Sequence, residues 1–159
     1  MRTTIALSEG LRDEDMLWLF QVGENEIVNP GTALVHEGAR PNAIFIVIRG
    51  GFSVGVETLA NEPLAKLGAG ELIGEISFLE GSAASATIVA DEESAVLVID
   101  SQVLNDRIRE DTAFAARMYR AFALVAERRL RQRVDHLAFL FELGGDLGSQ
   151  RDASTCALD

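Results

Sequence analysis

The chain has a single cysteine, Cys156, so no disulfide can close within one copy and no four-cysteine zinc site can be built. Its only histidines, His36 and His136, lie far apart in the sequence. A metal enzyme on a small β-barrel needs two or three histidines plus a carboxylate on neighbouring strands, and that set is missing. No apolar run approaches the roughly 18–20 residues that cross a bilayer. The first ten residues carry one arginine and no long apolar stretch, which predicts no signal peptide. Gly68-Ala69-Gly70 is not followed by Lys-Ser or Lys-Thr, so it does not read as a triphosphate loop. Cys156 has no histidine beside it to activate a thiolate. These gaps predict a cytoplasmic, non-enzymatic protein that requires no cofactor, holds no metal and does not enter the membrane.

What is present is an ordinary globular composition. The 159 residues are 48% hydrophobic and 25% charged, enough for one domain with a core of its own. The net charge is −11, which repels phosphate backbones and argues against direct DNA binding. The charge is uneven. Between Leu104 and Asp135 stand eight arginines (107, 109, 117, 120, 128, 129, 131 and 133) against five acids. That segment reads either as a solvated helix face or as an interaction surface.

Four regions follow from periodicity and punctuation. Residues 1–23 are an N-terminal helical segment, with a helix from about Ser8, its cap, to Gln21. Residues 24–100 have strand character. All three prolines and most of the 14 glycines fall there, in turns such as Asn29-Pro30-Gly31, the stretch from Glu37 to Asn42, Gly50-Gly51 and Asn61-Glu62-Pro63. Ala43 to Ile48 is apolar throughout and reads as a strand buried on both faces; Phe52 to Glu57 alternates and reads as half-buried. Residues 101–143 contain no Gly or Pro before Gly144 and read as helical. Phe122, Val125, Ala126, Leu130, Val134, Leu137 and Phe141 make one apolar stripe along it. Residues 144–159 read as a flexible tail, too short for a helix-turn-helix. The predicted fold class is mainly β with flanking helices: a jelly-roll-like β-roll of about eight strands, an N-terminal helix and a long C-terminal helix.

One stretch is richer in chemistry than the rest, Gly70-Glu71-Leu72-Ile73-Gly74-Glu75-Ile76-Ser77-Phe78-Leu79. Gly74 falls where a strand should end, and a glycine permits positive φ and close approach of a ligand to the backbone. Ile76 to Leu79 can then form a helical turn. Its free amides, around Ile76 to Phe78, would favour an anion. Glu75, an acceptor-only group, suits a sugar hydroxyl. The plainer alternative is a tight turn at Gly74 beside a solvated Glu75.

Gly74-Glu75-Ile76, a short turn, then Ser85-Ala86-Thr87 on the next strand resembles the phosphate-binding cassette of cyclic nucleotide-binding domains. Gly31, Glu37-Gly38, the run Ile44-Phe45-Ile46-Val47-Ile48 and Gly50 are similar to that family's paired strands and structural glycines. The resemblance covers roughly Leu11 to Leu143. It implies an eight-stranded β-roll with terminal helices and a ligand, cAMP or cGMP, lying over the cassette. It also implies Glu75 on the ribose hydroxyl and the backbone of Gly74, Ile76 and Ser77 near the cyclic phosphate, with Ser85, Ala86 and Thr87 alongside.

The family's cassette carries an arginine ten residues after this glycine, and here that position is Ala84. A hydrogen bond to a charged group contributes about 1.5–3 kcal/mol, and loss of one partner of a buried charge pair costs about 3–5 kcal/mol. At about 1.4 kcal/mol per decade, affinity for a cyclic nucleotide should fall by about one to three decades. No Arg or Lys lies between Lys66 and Arg107. Arg40, Arg49 and Lys66 are the cations that other strands could bring; Arg49 reads as an exposed strand-end residue and Arg40 as a turn residue. Glu71, Glu75 and Glu80 add repulsion.

Two functions are therefore expected in competition. One is a regulatory sensor domain whose cyclic nucleotide binding is weakened or lost. The other is an interaction module for an unknown protein partner, with a vestigial pocket, acting through the C-terminal helices. The apolar stripe also predicts a homodimer through the long helix, although its steps are not strictly heptad.

Overall fold

The computed structural model of the protein describes residues 7–59 and 63–156, with the side chains of Leu59, Val134 and residues 136–156 left aside. The chain divides into two units, Met1–Val125 and Ala126–Asp159. Residues 7–10 are helical and are followed by helix α1, Asp13–Val22. The single helix predicted from Ser8 to Gln21 is thus broken at Leu11-Arg12, and Ser8 lies inside the first piece rather than capping it. The second piece has its own start signal: the Arg12 N–H donates to Asp15 Oδ2 at 2.9 Å.

Eight strands follow: β1 Glu24–Val28, β2 Ala33–Val35, β3 Ala43–Arg49, β4 Phe52–Gly55, β5 Ala65–Leu67, β6 Leu72–Ile73, β7 Thr87–Ala90 and β8 Ser94–Asp100. A short helix, α2 Glu75–Glu80, interrupts them after β6. Helix α3, Ser101–Glu110, and helix α4, Thr112–Cys156, complete the chain. The strands form two antiparallel four-stranded sheets, ordered β1-β8-β3-β6 and β2-β7-β4-β5. The predicted β-roll with flanking helices is the observed architecture. Two boundaries differ from expectation. β4 stops at Gly55, where its pairing with β7 ends at Thr87, and Glu57–Leu59 form a turn of 3₁₀ helix. Helical backbone also continues past Leu143, through the segment read from sequence as a tail, to Cys156. Asn61 and Glu62, placed in a turn by the sequence, lie outside the described residues.

The run Ala43 to Val47 is buried throughout, and its alternation explains why. Ala43, Phe45 and Val47 join a core with Val28, Val35, Phe52, Ile73, Ala90 and Val96, drawn from both sheets. Ile44 and Ile46 point the other way. They join Leu72, Leu97 and Ile99 against Leu19, Leu104, Phe114, Met118, Phe122 and Val125 of the helices. The strand is therefore a wall between two cores. Ile48, at its end, is 43% exposed, one residue sooner than predicted.

Polar and aromatic contacts fix the helical layer. Arg117 of α4 grips Asp15 of α1 through two hydrogen bonds. The Arg107 guanidinium of α3 lies 5.3 Å from the ring centres of both Trp18 and Phe114, which meet each other edge to face at 5.3 Å. The apolar stripe of α4 is buried at Phe122 and Val125, whereas Ala126 and Leu130 are exposed; Val134, Leu137 and Phe141 lie outside the described side chains. No helix among the described residues is long and apolar enough to cross a membrane.

Candidate functional site

Strand β6 is only two residues long because Gly74 turns the chain out of it. Gly74 has φ 90° and ψ 3°, the left-handed conformation that β-branched and bulky residues avoid. It also sits against β3, since a Cβ built on it would lie 3.1 Å from the Ala43 carbonyl oxygen. Helix α2 begins at the next residue. Its first intrahelical bond runs from the Phe78 N–H to the Gly74 oxygen, at 3.1 Å. The Phe78 amide, expected to be among the open donors, is thus used within the helix, and the amides of Ile76 and Ser77 are the ones that precede the first bond. Gly81 ends α2, with its N–H on the Ser77 oxygen at 2.8 Å.

Glu75 is 6% exposed, so the solvated carboxylate of the plainer reading is not what the fold holds. It interacts with neighbours, as a buried carboxylate must. Ile76 is 58% exposed, and Ser77 is half-buried. Phe78 packs on the helical core, its ring 5.9 Å from that of Phe122. The cassette helix thereby rests directly on α4.

The return limb carries the other four predicted residues. Ala84 is half-buried and packs against the inter-sheet core; Ser85 is exposed, and Ala86 and Thr87 are half-buried. Ala84 is bridged in both directions to the β2–β3 turn. Its oxygen accepts from the Gly38 N–H, and its N–H donates to the Ala39 oxygen, both at 2.8 Å. Thr87 Oγ1 accepts from the Glu37 N–H at 3.0 Å, and Glu37 Oε2 accepts from the Glu57 N–H at 2.9 Å. His36, Glu37, Gly55, Val56, Glu57 and Thr87 line a cavity of about 420 Å³. Of the eight predicted residues, only Thr87 lines that cavity.

One of the three cations that other strands could bring meets the cassette at a residue the sequence did not point to. Arg40, read as a turn residue, reaches the cassette: its Nη2 lies 3.0 Å from where a Cβ on Gly81 would be. The only signal in the sequence was the coincidence of a turn arginine with a side-chain-free residue after the helix. Among the described residues, no group of three or more His, Cys, Asp and Glu is arranged to hold a metal ion.

The architecture has known counterparts. A family model for the cyclic nucleotide-binding domain matches residues 26–111. The chain is 27% identical to the catabolite activator protein of Thermus thermophilus, with a TM-score of 0.67 over 85% of this chain, and it spans 62% of that protein's length. It is 27% identical to the N-terminal domain of a transcriptional regulator from Streptomyces coelicolor A3(2), with a TM-score of 0.65, covering 82% of this chain and 90% of that one. A cyclic nucleotide-binding domain from Methylobacillus flagellatus KT shares the fold at 19% identity, with a TM-score of 0.73, covering 84% and 81% of the two chains. No curated protein matches. With glycine-turned cassette, β-roll and helical layer in place, and the family model covering more than half of its residues, the chain belongs to the cyclic nucleotide-binding domain family.

Proposed function

We propose that the chain is a non-enzymatic regulatory sensor whose β-roll receives a cyclic nucleotide, cAMP or cGMP, over the cassette of Gly74, Glu75, Ile76, Ser77, Ala84, Ser85, Ala86 and Thr87. In this reading Glu75 holds the ribose hydroxyl, and the first-turn amides of α2 meet the cyclic phosphate. Binding is weak because Ala84 stands where the family has its phosphate-binding arginine. The observation that carries the reading is the left-handed Gly74 followed at once by a buried Glu75, since a carboxylate kept out of water at a glycine turn suits a polyol ligand. The Phe78–Phe122 contact supplies the output, because any shift of α2 reaches α4 through two touching rings. Leu130, exposed in the single chain, belongs in this reading to the seam of a homodimer through the C-terminal helix.

A second reading, an interaction module with a vestigial pocket, draws on Ala84 itself and on the arginines flanking Leu130. Titration calorimetry with cAMP and cGMP on the wild type and on Ala84→Arg separates the two. The sensor reading expects weak binding to the wild type and a gain of about ten- to a thousandfold in the variant. If neither protein binds, the sensor reading is lost and the interaction module stands.

A further inference from the structure

The β-roll carries three basic side chains, and two are already committed. Arg49 pairs with Glu93 at 3.3 Å, and Lys66 pairs with Asp91 at 3.6 Å. Arg40 is the third. Among the described residues it has no hydrogen bond or ion pair to a carboxylate, although Glu37 lies on its own turn. Its guanidinium instead lies against Gly81, the residue that closes the cassette helix. The two backbone bonds of Ala84, to Gly38 and Ala39, fasten the turn bearing Arg40 to the very residue that replaces the family's arginine.

We propose that Arg40 is the cation that meets the phosphate of a bound cyclic nucleotide in this chain, reaching across from the β2–β3 turn to serve in place of a side chain at position 84. This inference rests on the sensor reading above. Three local facts favour it together. The cassette is acidic, with Glu71, Glu75 and Glu80, so an anion entering it requires a positive charge from elsewhere. Arg40 is exposed and unpaired by carboxylates among the described residues, so engaging an anion breaks no existing ion pair. Gly81 has no side chain, which leaves the guanidinium room beside the cassette; an alanine there would press on Nη2 at 3.0 Å. A guanidinium suits the task because its planar fork can hold two phosphate oxygens at once. Held from a turn instead of from the cassette, it would be ordered only when the ligand arrives, which is in keeping with weak rather than absent affinity.

The experiment is a calorimetric cycle on the full chain with four proteins, wild type, Arg40→Gln, Ala84→Arg and the double variant, titrated with cAMP and with adenosine. Circular dichroism checks that each is folded, and Arg40→Lys serves as a conservative control. The expected result is measurable cAMP binding by the wild type that falls about tenfold or more in Arg40→Gln and is partly kept in Arg40→Lys. Adenosine, which has no phosphate, should bind alike to wild type and Arg40→Gln. In the Ala84→Arg background, Arg40→Gln should have little further effect, because the phosphate is already met. Equal cAMP binding by wild type and Arg40→Gln overturns the role of Arg40 and leaves the sensor reading standing. Binding gained only in Ala84→Arg, with none in the wild type, overturns both the role of Arg40 and sensing by the natural chain, and leaves the vestigial pocket of the second reading. Failure of all four proteins to bind overturns the sensor reading itself.

Discussion

Asp15 and Arg117, 102 positions apart in sequence, are joined by two parallel hydrogen bonds, Nε to Oδ2 at 2.7 Å and Nη2 to Oδ1 at 2.9 Å. Asp15 is 2% exposed and also receives the Arg12 N–H, so one carboxylate both starts helix α1 and ties it to helix α4. The hydrogen bonds from Arg117 hold the Asp15 carboxyl below its ordinary pKa, against the opposing effect of burial. A carboxylate depressed in the folded state contributes stability above the ordinary carboxylate range, and that contribution is lost as the pH falls through the folded value. Asp15→Asn should therefore lower Tm at neutral pH by roughly 3–6 °C. The difference between variant and wild type should shrink toward pH 3. Thermal melts at a series of pH values check this, and a gap that stays constant into the acid range contradicts it.

Gly50 should tolerate no side chain. Its φ is 95°, and a Cβ would fall 2.7 Å from Ser94 Cα and 2.1 Å from Ser94 Oγ. Gly50→Ala should cost about 1–3 kcal/mol, and trimming the serine cannot relieve the backbone clash. The adjacent Gly51 has its nearest neighbour at 3.4 Å and no positive φ, so Gly51→Ala should cost under about 1 kcal/mol. Urea denaturation of the two variants measures the contrast.

Phe52 is fully buried between the sheets. Phe52→Ala should destabilise by about 3–5 kcal/mol, through lost burial and an unfilled cavity. Denaturant midpoints with an unchanged m-value are the expected signature.

Glu75→Gln keeps the shape of the buried side chain and removes its charge. On the sensor reading it should weaken cAMP binding by about ten- to a hundredfold, as a hydrogen bond to a charged acceptor becomes one to a neutral acceptor. The fold should persist. Calorimetry alongside far-ultraviolet circular dichroism tests both halves of that statement.

The order of helices and strands was readable because each leaves a local mark. Ala43 to Val47 is unbroken in its apolar character, and the observed strand is buried on both faces. Gly74 was legible because a glycine between apolar residues and a carboxylate needs an explanation, and its left-handed backbone provides one. What the sequence hid depends on neighbours distant along the chain. The carboxylate that starts helix α1 lies only three residues after Arg12, but its hold by Arg117, 102 positions on, leaves no local mark. Phe78 could be read as apolar but not as the ring that meets Phe122. Arg40 could be read as a cation that another strand could bring but not as a neighbour of Gly81, because its turn is fastened to the cassette limb by backbone bonds between residues about 45 positions apart in the chain. Even the Phe78 amide, read as open, is consumed by a bond to Gly74 that only the folded turn creates.

Strand β3 divides its side chains between two interiors, Phe45 and Val47 on one side, Ile44 and Ile46 on the other. A slip of one residue would exchange the occupants of both at once, so no neighbouring register offers a comparable minimum. The same sharing means that neither layer can melt while the other stays intact, and heating the folded region should yield a single cooperative transition.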